Sequence, residues 1–188
     1  SEKPFTLSLD EAIELEELAN KNNLLIGGAP DTFLGGAHQQ VRAILDDGEL
    51  GRITSGTCYI MSHGMEHWHP NPGFFYKSGG GPVFDLGPYY ISSLINLIGP
   101  VKRVLAFSSI PQKERIVLSE ERFGEKITVE TPTTIHSVME FSNGAIITML
   151  SSWDVWSDEQ KPMELYGTEG SIKVPDSNSF FGEIEILK

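Results

Sequence analysis

Residues 77–90 read Lys-Ser-Gly-Gly-Gly-Pro-Val-Phe-Asp-Leu-Gly-Pro-Tyr-Tyr, and this stretch locates both the architecture and the chemistry of the chain. Three consecutive glycines, Gly79 to Gly81, end any preceding order, because glycine leaves its backbone unrestricted. Pro82 suits a first helical turn, where its missing N–H is not needed. The pattern predicts a helix from Pro82 to Ile98, closed by Gly99 and Pro100. That helix is almost wholly apolar apart from one polar line: Asp85, Tyr89, Ser92 and Asn96. Spacings of four, three and four put these residues on a single face. An acid and a phenol one turn apart on an apolar helix are costly to bury without a use. On the helix alone an alternative stands: Asp85 as a helix-start residue facing the dipole, and Tyr89 as a core tyrosine.

Working outward, the segment before the glycines predicts a helix over 8–22, opened by a Ser8–Glu11 capping box. A short buried strand is expected from Leu24 to Gly27, and a second helix from Thr32 to Asp47, ended by Gly48 and Gly51. A strand runs from Arg52 to Ser62, and residues 63–81 form a long loop of the kind that is usually functional. Beyond Gly99 the pattern turns to strands: Val101–Ile110, Lys126–Val129, Thr133–Phe141, Ala145–Trp153, Met163–Tyr166, Ser171–Val174 and Glu183–Leu187. Asn143-Gly144 is a hairpin turn signal. Residues 119–126 and 154–161 read as charged, solvated connectors, although Trp153 and Trp156 are placed to edge a pocket or an interface.

The expected class is therefore α+β, a mostly antiparallel open sheet with helices on one face. The central hairpin carries apolar residues on both faces: Met139, Phe141, Ile147, Met149 and Trp153 on one, Val138, Ile146 and Leu150 on the other. Helices can cover only one of them, so the second face needs another subunit or further chain to cover it.

Composition narrows the partners. Over 188 residues the net charge is −12, which disfavours nucleic acid and anionic membrane surfaces. No apolar run approaches the length of a spanning helix. The single cysteine, Cys58, forbids an internal disulfide and reads as a small core residue. A cytoplasmic setting is the expectation. The chain has no Gly-x-Gly-x-x-Gly, and Lys77-Ser78 precedes its glycines, whereas a phosphate-binding P-loop needs Lys-Ser/Thr after them.

The chain opens Ser1-Glu2-Lys3-Pro4-Phe5 ahead of its first helix. Glu-Lys-Pro followed by a helix, and later Gly-Gly-Gly-x-x-x-Asp-x-Gly-x-Tyr, resembles the Gfo/Idh/MocA family of nicotinamide-dependent oxidoreductases, which includes glucose–fructose oxidoreductases and inositol dehydrogenases. The resemblance implies an NAD- or NADP-dependent dehydrogenase acting on a hydroxyl carbon of a sugar or polyol. It implies that residues 1–30 are the tail of a Rossmann-like dinucleotide-binding domain, and that 31–188 form a substrate-binding and oligomerisation domain. It implies a fragment, short at both ends and unable to hold the cofactor alone. The alternatives are an NAD-using glycosidase of the same scaffold and a non-catalytic binding or assembly module.

By the same resemblance Lys3, Asp85 and Tyr89 are the catalytic residues, with Lys3 and Pro4 beside the nicotinamide. Many members carry histidine where this chain has Tyr89; some, the glucose–fructose oxidoreductases among them, carry tyrosine. An unperturbed phenol, with pKa near 10, is a poor base at neutral pH, and a neighbouring ammonium would improve it. Asp85 would hold a substrate hydroxyl in a reactive pose. A homodimer or homotetramer through the open sheet face is the implied assembly.

The loop adds His63, Glu66, His67 and His69. The pattern His-x-x-x-His-x-His resembles metal-ligand spacing, but prolines and aromatics crowd it, and no metal is expected. His67, Trp68 and His69, with Asn96 from the helix, are the expected substrate contacts, since aromatic faces and imidazoles suit sugar C–H patches and hydroxyls. Packing of an ordered loop is the other reading.

Overall fold

The computed structural model describes residues Ser1–Lys188. A seven-stranded sheet carries the fold, and the strand at its middle is β1, Ile53–Met61. Its neighbours are β6 (Ile146–Ser152), parallel to it from Ser55↔Ile146 to Met61↔Ser152, and β7 (Met163–Gly167), antiparallel. Outside these lie β5 (Thr134–Phe141) and β2 (Val101–Ser109) on one side, β8 (Ser171–Val174) and β9 (Glu185–Leu187) on the other. The order is β2-β5-β6-β1-β7-β8-β9, and β6–β1 is its one parallel step. That step has a consequence for the site. The chain leaves β1 and β6 side by side, at the same end of the sheet, and residues 153–162 arch across the end of β1 to reach β7.

Two helices, α2 (Gly36–Asp46) and α4 (Gly87–Ile98), cover one face of the sheet. Val41 and Ile44 of α2 and Tyr90, Leu94, Leu97 and Ile98 of α4 pack on Cys58, Ile60, Met139, Phe141, Ile147, Met149, Leu165 and Ile172. The opposite face is open: Leu105, Phe107, Val138 and Ile146 all stand exposed, Phe107 at 77 %. The α+β class and its one-sided helical cover thus match the alternation in the sequence. Cys58 is fully buried beneath the helices, and that burial pushes its thiol well above the usual range.

Four expected elements come out differently. Leu24–Gly27 is extended but joins no ladder, and Leu25 is fully exposed. A strand needs a partner for its N–H and C=O groups, and here Leu24 N donates back to Ala19 O of α1, while Ser1 donates to Gly27 O and accepts from Ala29 N. The helix expected over Thr32–Asp47 begins as a 3₁₀ turn, Thr32–Leu34, and breaks at Gly35. A Cβ at Gly35 would lie 2.6 Å from Phe180 O, so the closing loop presses on the break. The helix expected over Pro82–Ile98 is two helices, α3 (Gly81–Asp85) and α4, parted at Leu86. Pro88 has no N–H to continue the ladder and starts a new first turn instead. Finally, the charged connector is flanked by a small ladder, β3 (Glu114–Ile116) paired with β4 (Lys126–Thr128). It covers a second core of Met65, Phe75, Tyr76, Val117, Ile127, Val129 and Trp153.

The helix expected over 8–22 forms as α1, Leu9–Lys21, capped by Ser8 Oγ accepting from Glu11 N. It stays out of the helical layer: Ala19 is its only buried residue, and Leu9, Ile13, Leu15 and Leu18 are exposed.

Candidate functional site

The break at Leu86 ends α3 on Asp85 and lets α4 present Tyr89 one turn later. Lys3 reaches both from the far end of the sequence. Its Nζ donates to Asp85 Oδ1 at 2.5 Å and to the backbone oxygen of Asp85 at 2.7 Å. The same ammonium sits 5.4 Å from the centroid of the Tyr89 ring, over its face. Lys3 and Asp85 side chains are each 19 % exposed, so the pair is shielded without being sealed. Asp85 Oδ1 is taken by the ammonium; Oδ2 remains to accept from a ligand hydroxyl. Lys3, Asp85 and Tyr89 are therefore one cluster, although 82 residues separate the first two.

The glycine run does not cradle a ligand. A Cβ at Gly80 would fall 2.3 Å from Phe75 O, one at Gly79 2.9 Å from the Leu7 side chain, and one at Gly81 3.0 Å from Pro132 O. What comes close to these glycines is the chain itself. The glycine run thus offers a nucleotide diphosphate no cradle.

The remaining expected contacts are dispersed. Asn96 and Ser92 face a cleft of about 860 Å³ between α1, residues 24–30 and α4, together with Phe5 and Phe33. His67 and Trp68 are exposed, and neither bonds to the Lys3 cluster. His69 packs edge-on against Phe74 and Phe75, and its Nδ1 accepts from Asn71 N, so it serves the turn of its own loop. The residues with metal-like spacing diverge: His63 stacks on Trp156, while Glu66 turns inward to Arg115 and Tyr76.

That inward turn belongs to a network the sequence did not reveal. Arg115, 2 % exposed, donates through Nη1 to Glu66 Oε1 at 2.7 Å, and through Nη2 to Trp153 O and Asp154 Oδ1. Tyr76 Oη donates to Glu66 Oε2 and accepts from Met65 N. Asp154 Oδ2 accepts from Thr133 at 2.7 Å and from Thr134 at 2.6 Å. One guanidinium so ties the 63–81 loop to β3, to the end of β6 and to the start of β5. Burial, then the Glu66 hydrogen bond, pushes the Tyr76 phenol above its ordinary range. A lone arginine in a charged stretch gives no sequence signal of burial. A further clamp is Tyr90, whose hydroxyl donates to Asp176 Oδ1 at 2.6 Å, with His38 Nε2 near the Asp176 and Ser179 carbonyls.

Comparison with known proteins places this geometry. The family model for the GFO/IDH/MocA C-terminal domain matches residues 38–173. A D-xylose dehydrogenase of Paenarthrobacter nicotinovorans is 26 % identical over 182 residues, covering 91 % of this chain and 46 % of that protein. Among solved structures, an NAD binding oxidoreductase from Klebsiella pneumoniae superposes with a TM-score of 0.80 at 21 % identity, over 98 % of this chain and 49 % of that one. A levoglucosan dehydrogenase in complex with NADH and L-sorbose gives 0.75 at 22 %, over 91 % and 46 %. The chain spans just under half the length of each.

Proposed function

The chain belongs to the Gfo/Idh/MocA family, and from that premise we propose that it is the substrate-facing part of a nicotinamide-dependent dehydrogenase acting on a hydroxyl carbon of a sugar or polyol. One observation carries this reading: the Lys3 ammonium, bonded to Asp85 and lying over Tyr89. The relatives support the substrate class, since they include a D-xylose dehydrogenase and a levoglucosan dehydrogenase complexed with NADH.

When bound, the nicotinamide, NAD or NADP, supplies the hydride acceptor for oxidation of a C–H next to a hydroxyl. The chain handles the proton and the pose. Tyr89, as the phenolate, takes the hydroxyl proton as the C=O forms, and as the phenol returns it in the reverse direction. Lys3 holds positive charge over the ring and stabilises the negative charge that develops on oxygen. Asp85 Oδ2 accepts from a neighbouring hydroxyl and fixes the ring, while Oδ1 keeps Lys3 in place. Lys3 and Pro4 are the residues assigned beside the nicotinamide. His67, Trp68, His69 and Asn96, none bonded to this cluster, are assigned only outlying substrate contacts.

Residues 1–30 are assigned to the dinucleotide-binding domain, because α1 and residues 24–26 turn exposed leucines and isoleucines away from the sheet. Residues 31–188 are assigned to substrate binding and assembly, with the open face around Leu105, Phe107, Val138 and Ile146 as the interface of a homodimer or homotetramer. No helix is long and apolar enough to cross a membrane.

The test is Tyr89→Phe in protein that carries a dinucleotide-binding domain, assayed with D-xylose and levoglucosan. The expected loss in kcat is about 10²–10⁴-fold with little change in KM. Unchanged turnover removes Tyr89 from the chemistry.

A further inference from the structure

Trp156 is 83 % exposed, yet it is held in place. Its indole stacks on the His63 imidazole, with centroids 3.4 Å apart and planes 24° off parallel. Both partners are anchored by backbone. Val155 N donates to Ser62 O, and Asp154 is fixed by Arg115, Thr133 and Thr134 and by its own N–H to Ser152 Oγ. The parallel step between β1 and β6 causes the meeting, since Met61 and Ser152 are register partners and the next residues emerge together. The indole enters neither hydrophobic core. One of its faces is covered by imidazole and the other is presented outward. A rigid, half-covered indole is a poor use of apolar surface unless something flat lies on it.

The same 153–162 arch that carries Trp156 lends Asp158, Gln160 and Pro162 to the lining of a cavity of about 260 Å³. Ser62, Asp158, Gln160 and Asn178 bring hydroxyl, carboxylate and amide groups to its lining, together with Leu86 and Tyr90. These last two directly follow Asp85 and Tyr89 in sequence, so the cavity and the Lys3 cluster draw on adjacent residues of the α3–α4 junction.

We propose that the Trp156–His63 stack is a platform for a pyranose ring, with Asp158 and Gln160 as hydroxyl partners at its edge. A pyranose with equatorial hydroxyls turns a flat patch of axial C–H bonds to one side, and their partial positive charge suits the negative face of the indole. Carboxylate and amide side chains then accept from and donate to the rim of hydroxyls. The assignment rests on the sugar-dehydrogenase reading. It adds the element that selects a ring-closed sugar over an open-chain polyol.

The test uses the indole N–H resonances of the 15N-labelled 188-residue chain, with Trp156 identified through Trp156→Phe. D-glucose and D-xylose are titrated as flat pyranoses, and mannitol as the acyclic counterpart. The expected result is a saturable shift of the Trp156 signal with the pyranoses and an affinity at least about tenfold lower for mannitol. Trp156→Ala should weaken pyranose binding about tenfold or more. His63→Phe, which keeps a stacking ring, should restore most of what His63→Gln loses. Absence of a saturable Trp156 response, equal affinity for mannitol, or undiminished binding by Trp156→Ala overturns the platform. This binding result is separate from turnover. A platform that binds while Tyr89→Phe leaves activity unchanged defeats the dehydrogenase roles alone. A silent Trp156 beside an inactive Tyr89→Phe defeats the platform alone.

Discussion

Replacing Arg115 by methionine should be among the most destabilising single changes in this chain. The side chains of Arg115, Glu66 and Asp154 are 2 %, 7 % and 13 % exposed, so removal of the guanidinium strands two carboxylates out of water. Asp154 is the better protected, because the Thr133 and Thr134 hydroxyls still donate to it. Glu66 keeps only the Tyr76 hydroxyl. Breaking a buried pair from one side costs about 3–5 kcal/mol, most of it the unpaired charge. With a urea m-value of about 2 kcal/mol/M, the midpoint should fall by about 1.5–2.5 M. Adding Glu66→Gln to Arg115→Met removes the worse stranded charge and keeps a group that can accept from Tyr76. The double variant should therefore recover about 1–2 kcal/mol over the single, within the usual range of coupling between contacting residues. Urea unfolding followed by circular dichroism and by the buried Trp153 gives both numbers. A loss under about 1 kcal/mol for Arg115→Met, or strictly additive effects, would refute the account of Arg115 as a buried charge hub.

Gly80→Ala should cost about 1–3 kcal/mol in thermal or urea unfolding, because the new methyl meets the Phe75 carbonyl backbone, which cannot swing aside. The Cys58 thiol should stay inert to a thiol reagent at pH 8 in the folded chain and react at once in denaturant, since burial holds it protonated. Burial likewise raises the phenols of Tyr90 and Tyr76 in the folded state. Their contribution to stability is complete below the ordinary phenol range, near pH 10, and drains away as pH rises past it. The urea midpoint should therefore hold from pH 7 to 9 and drop beyond 10, with Tyr90→Phe softening the drop. By light scattering the parent chain should run as a dimer or tetramer and Leu105→Lys with Phe107→Lys on the open face as a monomer; a monomeric parent, or an unchanged mass in the variant, would refute the open face as an interface.

The sheet was legible in the sequence because period-two alternation, Asn143-Gly144 and the spacing of apolar runs all pointed the same way. Met139, Phe141, Ile147 and Met149 are buried and Val138 and Ile146 exposed, as the alternation implied. Element interruptions were less legible. Gly35 and Pro88 stand inside patterns that otherwise favour helix, and what decides them is a loop pressing on one and a missing N–H in the other. Leu24–Gly27 shows the opposite failure, since its residues suit a strand and the chain gives it no neighbour to pair with.

By itself the sequence determined the α+β class and the open and covered faces of the sheet, both of which depend on local pattern. Tertiary structure decided which distant residues meet. Lys3 closes on Asp85 and Tyr89, Arg115 gathers Glu66 and Asp154, and the parallel pairing of β1 with β6 sets His63 under Trp156. The physical reason is that periodicity records which side of an element is apolar, whereas the partner of a charge or the neighbour of a ring is fixed by strand order and chain crossing, which a single sequence does not encode in any local spacing.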